Sequence, residues 1–231
     1  MPDGTSGFCY DKAMKKILFI LGVTLLASPV LAYEVLLTEV QKPYEVVDID
    51  IDIDERQTHL GTLEDFPVMY QFKLSEDTAF NVSLRQLYQV EGDPIPFGLI
   101  LVKQDRRGGG VTEIARFNPQ NENWTRIKDG GVGLTFWQSD IITQQLDDGV
   151  YRLEVSTPVN IGKYVLDLGQ PGESSGYFEA ISNARTIQSF YGYSALKMLT
   201  SSLIYYPIGI VILLYLIRRT WQYRKVIANG S

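Results

Sequence analysis

Leu146-Asp-Asp-Gly-Val-Tyr-Arg-Leu-Glu-Val-Ser156, followed closely by Asn160-Ile-Gly-Lys-Tyr-Val-Leu-Asp-Leu-Gly169, decides how this 231-residue chain folds. In the first run Tyr151, Leu153 and Val155 alternate with Arg152 and Glu154. That period of two puts apolar side chains on one face of a strand and charged ones on the other. In the second run Tyr164, Val165, Leu166 and Leu168 are almost continuously apolar, as in a strand covered on both faces. Gly149 permits the tight turn into the first strand and Gly162 returns the chain into the second, because glycine adopts backbone angles that other residues avoid. Tyr151 begins the inward face.

Outward from this hairpin the same pattern repeats. Residues 44–54, 68–74, 78–90, 97–103, 111–117, 123–128, 133–139 and 141–146 are short β-prone runs, and 149–156 and 163–168 close the series. Turn residues separate them at Gly92-Asp-Pro-Ile-Pro96, Arg107-Gly-Gly-Gly110, Asp129-Gly-Gly131 and Asp147-Asp-Gly149. Eight to ten short strands with frequent turns predict an all-β fold, a β-sandwich or jelly roll.

The hairpin resembles the closing hairpin of bacterial pre-peptidase C-terminal domains and related jelly rolls. There Leu-x-x-Gly-x-Tyr-x-Leu-x-Val precedes Gly-x-Tyr-x-Leu. Phe72-Lys-Leu and Phe80-Asn-Val-Ser-Leu are similar to earlier strands of that fold, and the resemblance covers about residues 65–169. It implies an accessory, non-catalytic extracytoplasmic module, with polysaccharide, protein or calcium contacts in some members. The chain departs from the usual arrangement in that no protease or glycosidase domain precedes the module.

Two apolar runs flank the β region. Ile17 to Ala27 follows Lys15 and Lys16 and leads to Ser28-Pro-Val-Leu-Ala32. A basic n-region, an apolar stretch of about a dozen residues and small residues at the cleavage positions make a secretory signal, too short to span a bilayer. Met14 directly precedes the two lysines and is the expected start, with mature chain beginning at Tyr33. The second run, residues 199–217, spans roughly 28 Å as a helix, close to the ~30 Å bilayer core. Tyr205 and Tyr206 near one end, and Trp221 with Arg218 and Arg219 at the other, fit membrane anchors. The basic tail, extended by Arg224 and Lys225, belongs on the cytoplasmic side. The expected organisation is an extension and signal peptide at 1–32, a β-sandwich at 33–169, a linker and juxtamembrane helical segment at 170–198, one transmembrane helix at 199–217, and a basic tail at 218–231.

The charge is unevenly spread. The whole chain has 21 Lys+Arg against 27 Asp+Glu, whereas residues 33–200 hold 14 against 25, a net of −11. An acidic exported surface argues against a nucleic-acid partner. Cys9 is the sole cysteine and lies ahead of the signal, so the mature chain has no disulfide, thiolate nucleophile or cysteine metal site.

Four positions draw attention as a metal site. Asp48, Asp50, Asp52 and Asp54 alternate with Ile49, Ile51 and Ile53. In a strand the four carboxylates share one face, about 6.6 Å apart. Neighbouring pairs could join turn carbonyls around calcium, the one cofactor the sequence raises. The run has no glycine to curl it round an ion, and an acidic face also discourages edge-to-edge pairing. His59, the only histidine, has no nucleophile placed beside it by sequence and reads as a turn or surface residue. Arg106-Arg-Gly-Gly-Gly110 leads into a strand, so it reads as a hairpin turn and not as a phosphate loop. Phe136-Trp137 and Trp124 offer a sugar platform if exposed and core filling if not.

These readings converge on a single-pass membrane protein with its N-terminal domain outside. The expectation is a non-enzymatic binding or accessory module that contacts an envelope protein or polysaccharide. Two alternatives stand beside it: an accessory subunit acting through its membrane and juxtamembrane segments, and an envelope hydrolase.

Overall fold

The computed structural model describes residues 34–40, 42–50, 56–105, 109–117, 124–169 and 176–229. The signal region, Asp52 and Asp54 lie outside the described residues. The chain divides between Tyr205 and Tyr206 into a sandwich unit and a unit that holds the rest of the last helix.

Twelve strands are formed among the described residues. They are β1 (Glu34–Thr38), β2 (Val46–Asp48), β3 (Gln57–Glu64), β4 (Val68–Leu74), β5 (Thr78–Leu87) and β6 (Gly98–Gln104), then β7 (Val111–Phe117), β8 (Thr125–Asp129), β9 (Leu134–Gln138), β10 (Ile142–Leu146), β11 (Gly149–Ser156) and β12 (Ile161–Leu168). They make two mixed sheets, one ordered β1-β3-β12-β5-β9-β8 with β10 also on β5, the other β2-β4-β11-β6-β7. The expected sandwich is therefore present, followed by a C-terminal helix long and apolar enough to cross a membrane.

The two runs read from the sequence as a closing hairpin stand at the centre, but they do not pair with each other: each enters a different sheet, so the expected hairpin is instead a crossover between the sheets, because each strand finds its partners among strands distant in sequence. β11 lies between β4 and β6, with Leu153 opposite Tyr70 and Leu101. β12 lies between β3 and β5, with Leu166 opposite His59 and Leu84. Tyr151, Leu153, Val155, Tyr164, Leu166 and Leu168 all point into the core between the sheets, beside Phe72, Phe80, Phe97 and Leu101. Burying each such side chain contributes roughly 1.5–3 kcal/mol. Tyr151 also turns its hydroxyl back to the loop, donating to the Asp147 carbonyl at 2.9 Å and its carboxylate at 2.8 Å.

β5 is long enough to carry two partners on one edge. β10 pairs with its first half and β9 with its last three residues. Ser139 stands where the chain passes between them and replaces the missing ladder: its N–H donates to the Leu84 carbonyl, and its Oγ accepts from the Leu84 N–H, both at 2.9 Å.

The continuous apolarity of β12 follows from a second core on the outer face of the larger sheet. Helix α1 (Tyr177–Phe190) packs there. Its buried residues Ala180, Ala184, Ile187 and Gln188 recur at helical spacing, and Ala184 and Ile187 meet Leu60, Leu134, Phe136 and Val165. Gly192, at φ +80°, ends the helix, and the Tyr193 N–H returns to the Gln188 carbonyl at 3.0 Å. A 3₁₀ helix (Ala195–Thr200) follows, and then α2 (Ser202–Asn229).

Three strands differ from the sequence expectation, and β1 and β3 lie outside every expected run. Residues 44–54 form a strand only at Val46–Asp48 among those described. β3 is the larger departure. Its polar Gln57-Thr-His sequence sits inside the protein, and His59 is 2% exposed. The surface-turn reading of His59 is thus corrected: its strand is paired on both edges, by β1 and β12, and its polar groups meet partners distant in sequence.

Candidate functional site

Three groups of chemistry-bearing side chains are assembled by this frame. The first lies on the outer face of the larger sheet. Asp167 of β12 is buried among cations: Arg85 of β5 donates through Nε at 2.5 Å and Nη2 at 2.9 Å, and Arg56 lies 2.9 Å away. Thr58 adds a hydroxyl donor at 2.6 Å. Burial pushes the Asp167 carboxyl up, but the Arg85 and Arg56 guanidiniums outweigh it and hold the group below the ordinary carboxylate range. Arg85 continues to Asp129 at 3.2 Å and covers the Phe136 ring at 5.3 Å. Arg56 and Asp167 line a cavity of about 210 Å³ with Asn81, Ser83 and Gln138. The arrangement neutralises its own charges, which suits a rigid joint between strands better than a reacting carboxylate.

The second group lies between the sheets. Tyr70 and Tyr164 share a hydroxyl hydrogen bond at 2.8 Å. The His59 ring tilts against Tyr70 at 5.4 Å between centroids. Burial lowers the imidazole to a pKa of about 4 against an opposing pull from Asp167, so it is neutral at physiological pH. Gly61 faces Tyr164 in register, and a Cβ there would lie 2.3 Å from the Tyr164 ring. Glycine at this site is what gives the tyrosine room.

The third group is open to solvent. Trp137 of β9 tilts against Tyr88 at 5.1 Å, and the Arg126 guanidinium covers the Tyr88 ring at 4.3 Å. Trp137 lines a cleft of about 290 Å³ with Gln86, Gln89, Asp93, Lys163 and Tyr191. Gln86 is held by its bonds to the Ile95 N–H and carbonyl, both 2.8 Å. The other aromatic candidates divide as core: Phe136 is buried on the helix side, and Trp124 packs edge-on against Phe117 at 5.7 Å.

The acidic run keeps its alternation where it is described. Asp48 and Asp50 are exposed, while Ile49 turns into the core. Asp48 accepts from Gln71 Nε2 at 3.1 Å, and the Asp50 carbonyl accepts from Gln57 Nε2 at 2.9 Å. Among the described residues no three His, Cys, Asp or Glu side chains converge as a metal set. β6 and β7 pair antiparallel on either side of the Arg106–Gly110 stretch, of which residues 106–108 lie outside the described residues; Gly109 has φ +76° and the Asp105 N–H is bonded to the Gly110 carbonyl. The strand pairing is that of the hairpin expected there.

A last arrangement ties the sandwich to the head of α2. Ser202 N–H donates to the Gly130 carbonyl at 2.8 Å, and Ser201 Oγ donates to the Gly131 carbonyl at 2.5 Å while accepting from Leu203 N–H at 3.2 Å. Ile204 and Tyr205 bond to the Ser201 carbonyl, both at 3.0 Å. The helix thus begins with its first N–H groups satisfied. Pro207 has no N–H to offer the Leu203 carbonyl; the Tyr177 hydroxyl donates to that carbonyl instead. Of the sequence-derived anchor residues, Tyr205, Tyr206, Arg218, Arg219 and Trp221 all fall on α2 and are exposed.

The buried ion network escaped the sequence reading. Its signal was present: Asp167 interrupts Tyr-Val-Leu-Asp-Leu, and Arg85 interrupts Val-Ser-Leu-Arg-Gln-Leu. Single opposite charges in two apolar strands call for each other.

No protein-family model and no curated protein matches the chain. Among solved structures it is similar to the pre-peptidase C-terminal domain of a collagenase from Bacillus anthracis, at 17% identity and a TM-score of 0.33, over 56% of this chain and 98% of that one. It is also similar to a periplasmic inhibitor of g-type lysozyme from Aeromonas hydrophila, at 10% identity and a TM-score of 0.32, over 60% of this chain and 98% of that one. The first is the type of domain that the closing hairpin resembles. Likenesses of this degree carry no ligand or activity across.

Proposed function

We propose that the chain is a non-enzymatic, membrane-anchored module whose sandwich lies outside the membrane and contacts an envelope polysaccharide or protein through the cleft beside Trp137. The observation that carries this reading is the cleft itself. It sets an aromatic side chain beside two amides, a carboxylate and an ammonium group, the mixture of apolar surface and a few placed polar groups that recognition sites use. The placement of the most reactive groups supports a binding role. His59 is held neutral inside the core, and Asp167 is locked between two arginines. The apolar α2 and its basic end support an anchor with its tail on the cytoplasmic side. The exposed Asp48–Asp50 face is a candidate calcium contact, and it does not depend on the cleft.

The test uses the full chain in lipid nanodiscs, titrated with envelope glycan fragments, alongside crosslinking pull-down from native membranes. Trp137→Ala should weaken the captured ligand by about tenfold or more, the ~1.4 kcal/mol or greater cost of losing an aromatic contact. Capture of no glycan or protein above a scrambled control, or capture indifferent to Trp137→Ala, overturns the reading. A second reading, an accessory subunit working through its span, is favoured by Gly209, beside which nothing lies within 4 Å, so that another helix backbone could approach. Exchanging the span for a Leu-rich helix separates the two, since a tether tolerates the exchange.

A further inference from the structure

Around the head of α2 the sandwich unit exposes large apolar side chains that its own core does not need. Phe178 is 76% exposed, Leu196 77% and Leu199 55%. They are neighbours through the chain and through contacts. Tyr177, hydrogen-bonded to the Leu203 carbonyl, packs its ring edge-on against Phe178 at 5.6 Å. Leu196 and Leu199 are three apart in a 3₁₀ helix, so they share one face. Met198 turns the other way, into the cluster under α1.

The head of α2, up to Tyr205, is bonded directly to this surface. Thr200 Oγ donates to the Gly133 carbonyl at 3.1 Å, and Ser201 and Ser202 bond to Gly131 and Gly130. The bonds to the sandwich thus run into the first turn of the helix, through Ser202 and Leu203. Leu199 is four residues from Leu203, and with Ser201 extended between the two helices roughly 10 Å of chain separates them. The headgroup layer on each side of a bilayer is roughly 6–7 Å thick. A residue so close to the start of a membrane span lies in or beside that layer.

Building on the anchored reading above, we infer that Phe178, Leu196 and Leu199 form a lipid-seated foot: the sandwich rests on the outer leaflet with these side chains inserted at the acyl boundary. Lys197 fits the same place. Its ammonium lies 5.1 Å over the Tyr193 ring, an aliphatic stem with a polar head that suits the interface. The occupant is lipid because the surface is continuous with the helix that enters it.

The test is spin-label accessibility on the full chain in nanodiscs. With Cys9→Ser as background, single cysteines replace Phe178, Leu196, Leu199, the exposed strand residue Val111 and the helix residue Leu213. At 178, 196 and 199 the inference expects oxygen collisions to be retained while those of a water-soluble nickel chelate fall severalfold relative to position 111. Chelate access equal to that at 111 overturns the foot. Exclusion of both quenchers overturns it too, since a protein contact would then cover the patch. Position 213 keeps the two readings apart. If it reports lipid while 178, 196 and 199 report water, the anchor stands and the foot falls. If 213 also reports water, the anchor itself fails.

Discussion

His59 shows what a single residue does in this fold. Its imidazole sits between the sheets at 2% exposure, and burial holds its pKa near 4, below the 6.5 of an unfolded chain. The folded state therefore binds fewer protons than the unfolded state between those values. Its contribution is complete above about pH 6.5 and is lost as pH falls toward 4, by at most about 3 kcal/mol. Asp167 is also held below its ordinary value, so its contribution is lost only at lower pH still. Chemical denaturation of the protein at a series of pH values should show stability falling between pH 6.5 and 4, and His59→Leu should flatten that slope. An unchanged slope in the variant would remove the histidine as its cause. In the sequence His59 looked like a turn residue because it stands in a polar Gln57-Thr-His stretch with Gly61, a poor strand former, close behind. Their partners are far along the chain: Thr58 meets Asp167 across 109 residues, and Gly61 makes way for Tyr164. Local pattern carries no trace of such pairings, whereas β11, whose glycine and alternation are local, was readable end to end.

At the scale of elements, the junction between the 3₁₀ helix and α2 is the most determined part of the chain outside the sheets. The turn at Asp129–Gly133 holds it from three sides. Asp129 Oδ1 accepts from the Val132 N–H at 3.0 Å, Asp129 Oδ2 receives Arg85, and Gln188 of α1 donates to the Val132 carbonyl at 2.7 Å. The glycine carbonyls of the same turn then receive Ser201 and Ser202. Ser201→Ala removes both the cap on Leu203 and the bond to Gly131, a loss of about 1–2 kcal/mol for a helix cap. Hydrogen exchange in nanodiscs should show the amides of Ser202 and Leu203 exchanging roughly tenfold faster, as ~1.4 kcal/mol requires. Protection equal to wild type would mean that the serine does not hold the helix. The sequence showed the glycine-rich turn and the apolar helix separately. Their connection, made by backbone carbonyls, has no residue signature.

For the whole molecule the organising fact is the consecutive pair β11 and β12, which enter different sheets, with a second core laid over the outer face of one of them. That double coverage explains the apolar run of β12. It leaves the Trp137 cleft and the Asp48–Asp50 face as open surfaces. The sandwich class and the apolar helix were legible because strand alternation and a run of membrane length are both periodic, short-range signals. The cleft was legible only as a list of aromatic residues, since which of Phe136, Trp137 and Trp124 reaches solvent depends on the register of β9 and on α1. Cysteine labelling in intact cells shows whether α2 holds the sandwich outside the membrane. In the Cys9→Ser background, a membrane-impermeant maleimide should modify Val111→Cys without permeabilisation and Asn229→Cys only after it. Labelling of position 229 in intact cells, or protection of position 111 until the membrane is opened, would contradict the account.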